Sequence, residues 1–169
     1  VTYANLGNAE VEDQISFARH LARQEYIDAS RVGIYGWSYG GFMALGCALK
    51  GDGIFKVAIA VAPVTSWRYY DSIYTEIYNG LPQDNPAGYD DNSPINFADR
   101  LSLNTRLLII HGTADDNVHF QHAMLYCDAL VEAGIQFEMQ IYPNKNHSIL
   151  GAKTRYHLYT RFNTFLKNN

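Results

Sequence analysis

The chain has 169 residues, 47% of them apolar and 18% charged, with a formal net charge of −4. That length and apolar fraction suit one domain with a substantial core. Both charge signs are scattered along the chain, which excludes the clustered Lys and Arg of a nucleic-acid surface. No apolar run reaches the roughly 18 residues a membrane helix needs, and the residues after Val1 carry no signal-peptide pattern. Cys47 and Cys127 fall among small and apolar neighbours on expected helices, the setting of buried free thiols. There is no Cys/His cluster with metal-ligand spacing and no Gly-rich phosphate loop, so neither a metal nor a cofactor is expected.

In chain order, residues 9–26 repeat apolar positions at Val11, Ile15, Ala18, Leu21 and Ala22, which predicts an amphipathic helix broken at Asp28-Ala29-Ser30. Residues 31–37 read as a short buried strand, and 39–50 as a helix with small residues on its early turns. Further strands are expected at 56–63, 106–112 and 137–143. Helices are expected near 120–133, with Gly134 just past the end, and near 152–167, where Leu158, Tyr159, Phe162, Phe165 and Leu166 share a face. Continuous apolar strands alternating with helices predict an α/β fold, a mostly parallel sheet with helices on both faces. Residues 64–104 are rich in Tyr, Asn, Asp, Ser and Pro without a clean period, and a stretch that long is functional or partly helical. No repeat or linker divides the chain, so 1–169 read as a single domain.

The most informative residues are Gly36-Trp37-Ser38-Tyr39-Gly40-Gly41, a G-x-S-x-G pattern placed directly after a strand and before a helix. A turn that tight forces the serine into a strained conformation and pushes its hydroxyl into a cleft. Side chains at Gly36 and Gly40 are expected to collide there, and Gly41 to let the helix pack closely on the strand. The backbone N–H of Tyr39 is the expected oxyanion donor, aided by the helix N-terminus.

A serine hydroxyl needs a histidine to take its proton and a carboxylate to fix that histidine's tautomer, in the chain order Ser, Asp or Glu, His. Asp115 directly follows the third strand, where groups gather at the carboxyl ends of a parallel sheet, with Asp116 as the competing choice. His147 sits in a loop after the fourth strand and is the expected base. His20 and His157 lie on expected helices, His111 precedes the acid and shapes the strand end, and His119 and His122 lie near the start of a helix beside the site, where contact with substrate is open to them but is not assigned.

With Ser38, Asp115 and His147 in place, further stretches become specific: 11–14 (VEDQ), 55–76 (FKVAIAVAPVTSWRYYDSIYTE) and 111–121 (HGTADDNVHFQ). Together they resemble the prolyl oligopeptidase family of serine peptidases, and within it the dipeptidyl peptidase branch, over nearly the whole chain. The resemblance implies an α/β-hydrolase fold. It also implies release of N-terminal dipeptides with proline, or sometimes alanine, at the second position, through an acyl-enzyme and without cofactor or metal. The proline pocket it implies comprises Val64, Trp67, Tyr70 and Tyr74, joined by Tyr39 and Val118, with Asn117 bonding the substrate carbonyl one step further out. The chemistry agrees, since a compact box with flat aromatic walls suits a pyrrolidine ring. The alternatives left open are an acylaminoacyl peptidase, an oligopeptidase, a carboxylesterase, or a non-catalytic binding module. The intact Ser, Asp and His argue against the last.

There are departures. The family's β-propeller, which anchors the substrate amine, and its upstream oxyanion tyrosine have no counterpart here, and Val57 stands where relatives carry a disulfide-forming cysteine. Only 37 residues precede Ser38, so the chain is expected to be the C-terminal half of an eight-stranded sheet. Taken alone, such a piece is expected to be a poor peptidase, with dimers or aggregates built on the open edge at residues 31–36. Placement outside the cytoplasm, in a bacterial periplasm or cell envelope, is implied by the resemblance alone.

Overall fold

A computed structural model describes residues 2–169. Four strands, β1 (Gly33–Trp37), β2 (Val57–Val61), β3 (Arg106–Gly112) and β4 (Glu138–Tyr142), form one sheet in that order. All three pairings are parallel, as the apolar runs alternating with helices require. β2 is buried at every position and β3 at all but Arg106. Trp37 pairs with Val61, Val61 with Ile110 and Ile110 with Gln140, so the carboxyl ends of the strands line up along one edge.

The period of two along β2 and β3 builds two separate cores. Ala58, Ala60, Leu107 and Ile109 face α2 (Tyr39–Lys50) and α5 (Gln121–Glu132), meeting Leu45, Tyr126 and Leu130. Val57, Ile59, Leu108 and Ile110 face α6 (Ala152–Asn168), meeting Leu158, Phe162 and Phe165. Outside α2 lies α1 (Asn8–Leu21), whose Val11, Ile15 and Ala18 pack on Cys47 and Phe55. Both cysteines are free. Among the described residues, no helix is long and apolar enough to cross a membrane.

α1 stops at Leu21, five residues short of the expected end. Residues 22–27 turn instead, with Gln24 N–H donating to Leu21 O (2.9 Å) and Ile27 N–H to Gln24 O (3.0 Å). The polar run Arg23-Gln24-Glu25 offers the core nothing, and Tyr26 is 79% exposed, so no burial rewards another helical turn.

Residues 64–104 contain α3 (Ser72–Asn79), α4 (Pro86–Asp90) and two 3₁₀ segments, Trp67–Tyr69 and Pro94–Arg100. Side-chain bonds to backbone hold them. Asp71 caps α3 by accepting from Tyr74 N–H (2.8 Å), and Asn85 caps α4 by accepting from Gly88 N–H (3.1 Å). Buried Asn79 accepts from Leu6 N–H (3.1 Å) and donates to Gly88 O (2.9 Å), tying the segment to the start of the chain.

Candidate active site

Ser38 joins β1 to α2 with φ 60° and ψ −119°, a region that costs an L-residue roughly 1–3 kcal/mol. Ser38 N–H donates to Val61 O (2.8 Å), and Phe42 N–H to Ser38 O (3.1 Å), which hold the strained turn from both sides. A Cβ on Gly36 would overlap the Gly40 carbonyl, and one on Gly41 would come within 2.8 Å of Val61 O. Gly40 departs from expectation, because a Cβ there meets nothing within 4 Å. Its backbone needs the space only through Gly36. Tyr39 occupies the first position of α2, where the amide has no carbonyl one turn back to bond and is free for an oxyanion.

Asp115 is 5% exposed and its carboxylate is saturated. Oδ1 accepts from the amides of Asn117 and Val118, both at 3.0 Å. Oδ2 accepts from His147 Nδ1 at 2.8 Å and lies 3.2 Å from His111 Nε2, which also donates to Val118 O (2.8 Å). Burial opposes the charged carboxylate, but the bonds from His111, His147 and the Asn117 amide outweigh it and hold the group below the usual carboxylate range. Asp116, the competing choice, is exposed.

The histidine loop is brought to this carboxylate by the loop after β3. Ala114 N–H donates to Lys145 O (3.0 Å) and Thr113 N–H to Tyr142 O (3.1 Å), while Asn144 N–H donates to Thr113 Oγ1 (2.9 Å). A Cβ on Gly112 would overlap the Lys145 carbonyl, so the close approach depends on that glycine. From the other side, the Trp37 indole donates to His147 O (3.0 Å), which links the turn at Ser38 directly to the histidine loop. Ile149 completes the loop at φ 48°, unusual for a β-branched residue, and is fully buried against the α6 side of the sheet. Among the described residues no hydrogen bond joins Ser38 Oγ to the imidazole. Such bonds commonly tighten only with substrate in place.

Ser38, Tyr39, Val64, Trp67, Tyr70 and Tyr74 line one hollow of about 70 Å³ beside the elbow. Trp67 stacks near-parallel on Tyr74 (centroids 6.3 Å, 20°), and Tyr70 stands edge-on to Tyr74 (5.4 Å, 80°). Glu10 of α1 accepts from the Tyr39 hydroxyl (2.8 Å) and anchors that wall. Val118 is fully buried in the same apolar cluster rather than on the lining. Asn117 lies on the rim, where its Oδ1 accepts from the Tyr70 hydroxyl (2.8 Å) and it faces an outer hollow of about 500 Å³ shared with Tyr69, Asp71 and His119.

Sequence reasoning missed Glu10 and Trp37 as supports, although both lie in or beside motif residues, and it placed His111 at the strand end without its contact to Asp115. His122 is not within reach of substrate. It is fully buried, and its Nδ1 accepts from Thr65 N–H (3.1 Å). Burial pushes this imidazole down from 6.5 to about 4. An unfolded chain therefore takes up that proton first, and stability that is complete above pH 6.5 is lost as pH falls towards 4, by up to roughly 3 kcal/mol. Asp115, depressed below 3.8, adds its own loss only at lower pH still. The melting temperature should drop between about pH 6.5 and 4.5, and His122→Asn, which cannot titrate, should flatten that stretch. An unchanged slope in the variant would assign the loss to other groups.

Parallel strands that deliver a strained serine, an aspartate and a histidine, in that chain order, to one edge of a sheet are the arrangement of an α/β-hydrolase. Comparison with known proteins carries the assignment further. The chain belongs to the prolyl oligopeptidase family, which it matches over residues 1–169. It superposes on the crystal structure of Porphyromonas gingivalis dipeptidyl peptidase 4 with a TM-score of 0.96 and 51% identity, covering 99% of this chain and 24% of that one. It is 44% identical to dipeptidyl peptidase 4 of Felis catus over 164 residues, or 96% of this chain and 21% of that protein. A probable dipeptidyl-aminopeptidase B of Sclerotinia sclerotiorum is 46% identical over 166 residues, 97% of this chain and 18% of the relative. The chain thus spans about a fifth of the length of the relatives it matches.

Proposed function

We propose that this chain carries the nucleophile, acid, base and proline pocket of a serine dipeptidyl peptidase, which releases N-terminal Xaa-Pro, and less readily Xaa-Ala, dipeptides from peptides. The observation that carries the reading is the conjunction of a buried, fully bonded Asp115 holding His147 with a small aromatic hollow whose rim includes Ser38. An ionised carboxylate only accepts, so Nδ1 of His147 carries the proton and Nε2 is left free. Ser38 Oγ attacks the scissile carbonyl as Nε2 takes its proton, and the Tyr39 amide bonds the oxyanion. The proton then passes from Nε2 to the leaving amine, leaving an acyl-serine, and water repeats the sequence to release the dipeptide.

The hollow supports proline as the preferred residue. A pyrrolidine ring fills a narrow slot between flat rings with little lost rotamer freedom, alanine fills it partly, and a larger side chain does not enter. The protein at its natural length should release p-nitroaniline from Gly-Pro-p-nitroanilide. Tyr74→Ala should lower kcat/KM on it by about 10²-fold, near the lower end of what deleting a packed aromatic costs, while hydrolysis of a simple acetate ester changes far less. Equal losses on both substrates would count against a proline pocket and favour an esterase.

A further inference from the structure

The pocket loop (residues 64–70) and the acid loop leading into α5 come from different strands, yet both must be held to within fractions of an ångström of each other. At the rim they are joined by the Tyr70–Asn117 bond. At the base they are joined by one residue. Thr65, fully buried, donates its backbone N–H to His122 Nδ1 (3.1 Å) and its hydroxyl to the His122 carbonyl (2.9 Å). The His122 ring also stands edge-on to Tyr69 (6.0 Å, 78°) and is tilted 65° to Tyr70 at 6.5 Å.

We propose that His122 is a positioning residue for the proline pocket: its neutral Nδ1, accepting from the Thr65 amide, locks the pocket loop onto the segment that carries Asp115 and Asn117. This rests on the reading of the pocket given above. It is not a role of ring packing alone. The Thr65 amide is buried one residue after Val64, a wall of the hollow, and two before Trp67, and an unpaired buried amide is costly enough to shift the backbone to find water or another acceptor. The tautomer is also dictated. Nδ1 must present a lone pair to an N–H donor, so the ring proton sits on Nε2. A second proton would set N–H against N–H at Thr65. Burial keeps it off at neutral pH. The titratable groups nearest the ring are His111 from β3, Asp115 and His119 from the acid loop, and the Tyr69 and Tyr70 phenols from the pocket loop.

Two variants separate the bond from the bulk, both made in the protein at its natural length. His122→Phe keeps an aromatic ring and loses the acceptor. His122→Asn loses the ring but puts Oδ1 two bonds from Cβ, where Nδ1 was. Amide hydrogen exchange of the 64–70 segment at neutral pH reads the lock without any need for turnover. Exchange at Thr65 should quicken by at least about tenfold in His122→Phe, as expected for one lost hydrogen bond, and return to within about twofold of wild type in His122→Asn. Kinetics on Gly-Pro-p-nitroanilide should follow, with KM raised about tenfold in the Phe variant, kcat within about twofold, and acetate-ester hydrolysis unmoved. Thr65 protection unchanged in His122→Phe, or lost equally in both variants, overturns the proposal. So does a fall in kcat on both substrates with KM constant. If the exchange pattern holds but wild type does not cleave the Gly-Pro substrate, the lock stands and the dipeptidyl peptidase reading fails.

Discussion

Replacing Ser38 or His147 by alanine should reduce turnover of Gly-Pro-p-nitroanilide by about 10⁶-fold, with little change in KM. The size of the effect follows from how the three groups are linked. Ser38 Oγ is a weak nucleophile unless a base takes its proton as it attacks. His147 can serve as that base only while Nδ1 is held by Asp115 Oδ2 at 2.8 Å. Removing either partner removes the whole attack, so the double variant should be no slower than either single one. What remains is the oxyanion contribution of the Tyr39 amide and whatever binding the pocket supplies. Because alanine keeps the Cβ at φ 60° and Ser38 Oγ makes no hydrogen bond among the described residues, Ser38→Ala should not lower the melting temperature. A variant that lost activity by unfolding would be recognised at once by that measure.

Asp115→Asn should lower kcat by about 10⁴-fold while the fold survives. The amide can still accept on its oxygen from the Asn117 and Val118 backbone (both 3.0 Å in the wild type). Its NH₂ then faces His147, however, and the imidazole can bond to it only through an unprotonated Nδ1. The ring proton moves to Nε2, which can no longer accept from Ser38. Asp116→Asn serves as the control. Asp116 is exposed and its loss should alter kcat by no more than a few-fold. If the larger loss fell on Asp116 instead, the acid would be misassigned.

Features that rest on continuous local chemistry were legible in the sequence. Apolar runs at 56–63 and 106–112 announced buried parallel strands, and the observed β2 and β3 lie within those ranges. The elbow was legible because Gly36, Ser38 and Gly41 answer to one steric demand, whereas the same reasoning failed at Gly40, where there is open space. Helix α1 was read too long because Leu21 and Ala22 extend its apolar period, and only the loss of burial beyond them ends it. Residues 64–104 hid their helices because Asp71, Asn79 and Asn85 hold them through bonds to backbone, which leave no period to find. Nor could chain order show that His111 reaches back to Asp115, or that His122 lies under the pocket rather than facing substrate. The first depends on the turn after β3 bringing Asp115 back over the His111 ring, and the second on the loop after β2 lying beside the start of α5.

Treating the active protein with a fluorophosphonate and mapping the adduct by mass spectrometry, while following Gly-Pro-p-nitroanilide hydrolysis, shows whether Ser38 is the nucleophile of a dipeptidyl peptidase. One phosphonyl group per chain is expected, on the peptide containing Ser38, with activity lost in proportion to labelling and neither effect in His147→Ala. An adduct on another serine, or activity that persists once Ser38 is fully labelled, would contradict that assignment.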